Sequence, residues 1–287
     1  MAFVGSVASI VALLWFAIDK LQPSTLVWSF LVPVTLLFLL AISIYSIRVR
    51  QENIQFRNLI KILHRVNHDY RDMLSGAFKN QPHDFTRSQY FDFLKRGEKT
   101  TLKSVCQKVA KIYTAFTHSD CTVTVKLITQ VDGKSFCATH ERSEELCPRD
   151  IGQPRQFELN TGANTAFDKA LMFANGMISH FHSDDLTKEN AYRNQRDHWS
   201  DFYKNTIVVP IRSVDFTKLG TKDASSEIGF LSVDTLSTNR LNNTWHLELL
   251  AAFADQMYNF MCLMRCEYQL EAVAVAPAVQ PDPTRKT

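Results

Sequence analysis

Two long apolar runs open the chain. Ala2–Ile18 is apolar or small throughout, about 17 residues, the lower limit for a helix crossing a bilayer core. Leu26–Ile47 is longer and holds no charge, only Ser, Thr, Tyr and Pro33 among its apolar residues. Between them Asp19, Lys20, Gln22, Pro23 and Ser24 form a tight polar turn. The pattern predicts a transmembrane helical hairpin over 1–47, with a cleaved leader followed by a buried helix as the alternative. Against that alternative, no Lys or Arg precedes the first run and no small-residue cleavage site precedes Asp19. The period then changes. Over Arg48–Phe78, Phe56, Leu59, Leu63, Val66, Tyr70, Met73 and Ala77 recur at spacings of three and four, a short heptad seam. A parallel dimeric coil is predicted. The competing reading is one amphipathic helix lying on the globular domain, which Ile54, Ile60 and Ile62 favour by widening the apolar face.

Asn80–Thr86, with Pro82, breaks the helix, and a short helix from Arg87 to about Arg96 ends at Gly97. Leu102, Val105, Val109, Ile112 and Phe116 then share one helical stripe. Cys121–Thr129 alternates Val123, Val125 and Leu127 against Thr122, Thr124 and Lys126, a strand with one face buried. Asp132-Gly133 predicts a hairpin turn into Ser135–Arg142. Ser143–Gly162 reads as loop. Asn164–Asn175 reads as a helix stopped by Gly176, Met177–Phe181 as a short strand, and Thr187–Asp201 as an exposed helix or loop. Thr206–Ser213 and Ile228–Val233 are apolar, β-branched runs, predicted to pair antiparallel across a polar loop. Thr244 can cap a final helix carrying Leu247, Leu250, Ala254, Met257, Met261 and Met264. The domain layout is thus 1–47, 48–86, 87–266 and a disordered tail over 267–287, the tail inferred from Pro277, Pro281 and Pro283.

Composition adds limits. The net charge of +3 comes without a basic stripe interleaved with aromatics, so no nucleic-acid partner is expected. Arg48, Arg50, Arg57, Lys61 and Arg65 follow the second apolar run, whereas the preceding turn offers only Lys20. That asymmetry places the C-terminal portion in the cytoplasm, as a multi-pass protein of the inner (plasma) membrane. Six cysteines form no C-x-x-C pair, so a structural zinc site is not expected.

The order of the V-V-P-I strand, a polar loop, the strand I-G-F-L-S-V-D and the apolar helix resembles the C-terminal half of a GAF domain. The resemblance extends over Thr100–Arg265 and is sharpest over Tyr203–Phe260. It implies an α+β fold, a GAF-like central antiparallel sheet flanked by helices, here preceded by the membrane hairpin and the connecting helix. GAF domains are small sensory modules. The resemblance therefore implies a ligand on the concave side of the sheet beneath Asn164–Asp185, with Phe167, His180, Phe181, His182, Asp184 and Tyr203 as candidate ligand-binding residues. A homodimer, a small-molecule ligand and a separate output protein are the partners it suggests besides the bilayer. A dimerisation scaffold without a ligand, or a hairpin acting as membrane effector, is the alternative.

Three further strings carry chemistry-bearing residues. His180, His182 and Asp184 alternate on one strand face, where they could serve a divalent metal, a polar pocket rim or a solvated loop. Cys137 and Cys147, with His180-x-x-Ser183-Asp184, resemble the GAF-type reductases of free methionine sulfoxide. In that family a third cysteine stands where this chain has Ser183, whose hydroxyl cannot perform thiolate exchange. Asn164, Phe167 and Asp168 echo the spaced Asn-Lys-Phe-Asp-Glu signature of cyclic-nucleotide-binding GAF domains, but too closely packed. No catalytic residue is assigned, and no enzyme activity is expected.

Overall fold

In the computed structural model the described residues are 12, 25–79, 87–144, 156–171, 180–214, 225–242 and 244–273. The chain divides into two compact units, Met1–Asn58 and Leu59–Thr287.

In the first unit, helix α1 (Thr25–Lys79) begins and runs through Pro33. Leu36, Leu37, Leu39, Leu40 and Ile44 are each more than half exposed among the described residues. Among the described residues this is the one helix long and apolar enough to cross a membrane. The first apolar run lies almost wholly outside the described residues, and with it the hairpin expected from the sequence.

The second unit is α+β. Its elements are the C-terminal part of α1, α2 (Arg87–Thr117), β1 (Cys121–Val131), β2 (Lys134–Arg142), β3 (Gln156–Glu158), α3 (Thr165–Leu171), β4 (Phe181–Ser183), two short 3-10 turns, β5 (Asn205–Val214), β6 (Ser225–Thr235) and α4 (Thr244–Val273). The six strands form one sheet in the order β3-β2-β1-β6-β5-β4, and every neighbouring pair is antiparallel. This is the helix-flanked antiparallel sheet that the sequence resemblance implies. The Asp132-Gly133 turn has both φ angles positive, 50° and 75°, as a two-residue hairpin requires.

One face of the sheet carries the main core. Val123, Val125, Ile207, Val209, Leu231 and Val233 point to it and meet Val105, Val109 and Ile112 of α2 and Leu250, Ala254, Met257 and Met261 of α4. The α1 seam joins the same core. Val66, Tyr70 and Ala77 are buried, and Leu59, Leu63 and Met73 pack against them. From Leu59 onward the seam is thus taken up by the chain's own helices, which is the amphipathic-helix reading. Tyr70 stacks near Phe260 at 4.7 Å, and Ser104 donates to Asp69 at 2.8 Å, tying α1 to α4 and α2.

Three boundaries differ from those expected. Helix α2 is continuous through Gly97 rather than broken there. A Cβ at Gly97 would lie 2.1 Å from Met73 Cε, so the glycine leaves room for the Met73 side chain, at a position where glycine costs a helix roughly 1 kcal/mol. Helix α4 continues to Val273, past the expected start of the tail, because Cys266–Val273 contains neither Pro nor Gly. Strand β3 lies in the stretch read as loop; its alternation is only three residues long, too short to register as a period.

Candidate functional site

The second face of the sheet is also covered. Phe167 and Ala170 of α3, together with Cys137, Leu159, Phe181, Leu186, Val208 and Phe230, form a separate small apolar cluster there. Beside it lies a cavity of about 40 Å³ whose floor is polar. Thr124 and Lys126 of β1, Ser232 and Asp234 of β6, and Thr206 of β5 line it, with Arg142 of β2. The register explains why they meet. Thr124 pairs with both Ser232 and Arg142, Lys126 with Thr139, and Thr206 with Asp234. The polar half of the β1 alternation, read from the sequence as a solvent face, is therefore an interior one. Thr124, Thr206 and Ser232 are buried, and Lys126, Arg142 and Asp234 are 8%, 7% and 9% exposed.

A bulge makes the arrangement possible. Between Val125 and Lys126 the β1–β2 register shifts, so that β2 has one residue more than β1. Thr139 and Arg142, three apart, would otherwise face opposite ways; with the extra residue both take the sheet face that carries Lys126. Lys126 Nζ donates to Thr139 Oγ1 at 2.8 Å and lies 5.5 Å from the ring centroids of Phe157 and Phe167.

The roof comes from residues 186–204. Two short 3-10 turns, Leu186–Lys188 and Trp199–Asp201, bracket it. Thr165 N–H donates to Arg193 C=O at 3.1 Å, and Arg193 N–H returns a bond to Thr165 Oγ1, tying the roof to α3. Asn194 Nδ2 donates to Tyr192 OH at 3.0 Å and also to Tyr203 OH, while Trp199 packs on both tyrosines. Tyr192, Asn194, Arg196 and Tyr203 line the cavity from this side. The segment read as an exposed helix or loop is mostly exposed, and its half-buried residues include Tyr192, Asn194 and Arg196, which line the cavity.

Burial governs the ionisable groups. Desolvation lifts the Asp234 carboxyl to about 6, opposed by the Thr206 hydroxyl and by the charges of Arg142 and Lys126. Burial pushes the Tyr203 phenol up to about 12 and the Cys137 thiol to about 12.

Of the six residues nominated from the sequence, Phe167 and Tyr203 line the cavity. Phe181 is buried in the adjoining apolar cluster, opposite Val208. His182 pairs with Ile207, so it projects to the opposite face of the sheet, where its Nε2 lies 3.0 Å from Asp184 Oδ1. His180 is exposed. The two histidines and the aspartate therefore stand outside the cavity. Among the described residues no group of three or more His, Cys, Asp or Glu side chains could hold a metal. Ser183 is buried and donates to Glu189 at 3.3 Å, while Cys147 lies outside the described residues. The cyclic-nucleotide echo has a structural account. Asn164 Oδ1 caps α3 by accepting from Ala166 N–H, and Asp168 accepts from the N–H groups of Asn160 and Gly162, which both have positive φ.

The residues that reasoning along the chain missed are Thr124, Lys126, Arg142, Thr206, Ser232 and Asp234. The available signal was a polar alternation in strands whose neighbours are apolar: a lysine and an aspartate in the middle of a buried sheet require partners.

No family model and no curated protein matches the chain. Solved structures that are similar include a GAF domain (12% identity, 65% of this chain and 94% of that one, TM-score 0.39). Another is the GAF domain of a phosphoenolpyruvate-protein phosphotransferase from Coxiella burnetii (11% identity, 74% and 98%, TM-score 0.41). A third is the phycoerythrobilin-bound GAF domain of a cyanobacterial phytochrome (14% identity, 71% and 97%, TM-score 0.38). Such low scores leave the functional reading to the chain's own geometry.

Proposed function

We propose that this chain is a membrane-anchored cytoplasmic signalling module whose α+β domain binds a small molecule in the cavity between the sheet and α3. One observation carries the reading. Six polar side chains, three of them charged, are gathered inside a sheet face that is roofed by a separate aromatic segment. Buried polar groups are costly unless partnered, and a fold that needed only a core would fill the face with apolar residues. The exposed apolar stretch of α1, followed by Arg48, Arg50, Arg57, Lys61 and Arg65, supports the anchor and its orientation. In this reading, ligand binding shifts the sheet against α2 and α4, and the state is read by a separate output protein or by the N-terminal segment itself.

The test is thermal melting of the purified full chain against a library of metabolites and nucleotides. At ~100 times its dissociation constant a ligand adds about 2.7 kcal/mol, well above the detection limit of melting. A hit that is lost in Tyr203→Ala supports the reading; no hit from the library overturns it. A second reading, a dimerisation scaffold without ligand, is favoured by the size of the cavity. About 40 Å³ holds a few waters, far below the ~300–1,000 Å³ of drug-sized sites.

A further inference from the structure

The outer face of α1 holds a pair of histidines that neither the core nor the cavity uses. His64 and His68 are four apart, so one helical turn sets them one above the other on a single face. Val66 and Tyr70, on the other side of the same turns, are buried in the core, while His64 is exposed and His68 half-buried. The two rings meet edge to face with centroids 4.3 Å apart, and their Nε2 atoms face each other at 2.9 Å. Arg71 reaches the other ring nitrogen of His68, Nδ1, and also donates to Asp72 Oδ1 at 3.0 Å. A guanidinium only donates, so His68 Nδ1 is the acceptor there. The ring proton of His68 therefore stands on Nε2, and His64 Nε2 accepts it.

One proton thus joins two imidazole nitrogens at a spacing where a metal ion can replace it. A metal ~2.0–2.1 Å from each nitrogen would find them about 2.9 Å apart at a right angle and about 3.3 Å apart at the tetrahedral angle. We propose that His64 and His68 bind a transition-metal dication, zinc above all, through both Nε2 atoms. Neutral imidazole suits such ions, and two histidines at this spacing on one helix face are the ligand arrangement of helical zinc sites. As the metal enters, the His68 proton passes through water from Nε2 to Nδ1, and Arg71 leaves Nδ1. The Arg71 side chain is 64% exposed and already paired with Asp72, so it is displaced at little cost. Among the described residues no third His, Cys, Asp or Glu joins the pair, which leaves the remaining coordination positions to water. The chelate closes one turn of α1 and stabilises the folded chain by binding it in preference to the unfolded one.

The experiment is a melting titration of the untagged full chain with zinc chloride and, as a hard-cation control, magnesium chloride. Zinc is expected to raise the melting temperature with saturation, and magnesium to leave it unchanged. His64→Ala and His68→Ala alter side chains outside the core, so both variants fold. Each is expected to weaken zinc by ~10-fold or more, at least what loss of an outer-shell partner costs a metal site. Arg71→Ala removes the donor that holds His68 in its other tautomer, and is expected to bind zinc at least as tightly as wild type. The absence of a zinc shift in wild type, equal shifts by zinc and magnesium, or an unchanged zinc response in either histidine variant would overturn the proposal. Weaker zinc binding in Arg71→Ala would overturn it too, since the proposal has Arg71 leave as the metal enters.

Discussion

Thr206 and Asp234 face each other across the β5–β6 pair, and the threonine Oγ1 donates to the aspartate Oδ1 at 2.5 Å. This bond, with the nearby charges of Lys126 and Arg142, holds an ionised carboxylate in an interior that otherwise disfavours it. Burial wins, and the carboxyl rises to about 6.

A pH dependence follows. In the unfolded chain Asp234 titrates near its ordinary 3.8, so between about 4 and 6 the folded state binds the extra proton. Its contribution to stability is fully present below about 4, is lost as pH rises through 6, and stays lost above. Asp234→Asn removes the penalty of the ionised form while keeping an acceptor for Thr206. Relative to wild type, the variant is expected to be more stable at pH 8 by on the order of 2 kcal/mol, the gap closing toward pH 4. Urea unfolding of both proteins across that range measures it; a gap independent of pH would assign the carboxyl an ordinary value.

Gly229 marks the closest approach within the sheet. A Cβ built there would lie 2.2 Å from the backbone oxygen of Lys126, which cannot move without parting β1 from β6. Gly229→Ala is expected to cost about 1–3 kcal/mol or more and to disturb the cavity floor through Lys126. A midpoint in urea unchanged from wild type would show that the two strands have slack.

The buried thiols should be inert. Burial lifts Cys106 and Cys137 to about 12, so at pH 8 roughly one ten-thousandth of each is thiolate. Iodoacetamide at pH 8 is expected to leave both unmodified in the folded protein and to label them after unfolding, while half-buried Cys262 reacts ahead of these two. Rapid native labelling of Cys137, located by peptide mapping, would contradict its placement and reopen thiol chemistry there.

The α1 seam separates two readings of that helix. Val66 is fully buried in the chain's own core, whereas Phe56 is more than half exposed. Val66→Asp is expected to destabilise the domain by several kcal/mol, since it buries an unpaired carboxylate. Phe56→Asp is expected to leave the melting temperature nearly unchanged and, if two chains pair along the N-terminal stretch of the seam, to weaken self-association in sedimentation. Equal melting losses in both variants would mean that the whole seam serves the chain's own core.

Much of the architecture was legible in order along the chain. The β5 and β6 runs, the Asp132-Gly133 hairpin and the Met-rich stripe of α4 each carry their signal within a few residues, because apolar periodicity is local and core contacts repeat at the period of the element. The first face of the sheet could be read from Val123, Val125 and Leu127 for the same reason. Phe167 and Tyr203, nominated through the GAF resemblance, line the cavity.

The cavity itself was decided by tertiary structure. The sequence determines that Thr124 and Lys126 share a face, and that Thr206 and Asp234 sit in apolar strands; it does not say that α3 and residues 186–204 cover that face. Nor does alternation predict the bulge beside Lys126 that turns Arg142 inward together with Thr139, since one inserted residue reverses the parity of all that follow it. His182 lies away from this cavity by the same rule in reverse. Its pairing with Ile207 sends it to the opposite face, a matter of register between strands some twenty-five residues apart in the chain. Local pattern sets which side chains travel together. Only the pairing of distant strands decides which of them meet.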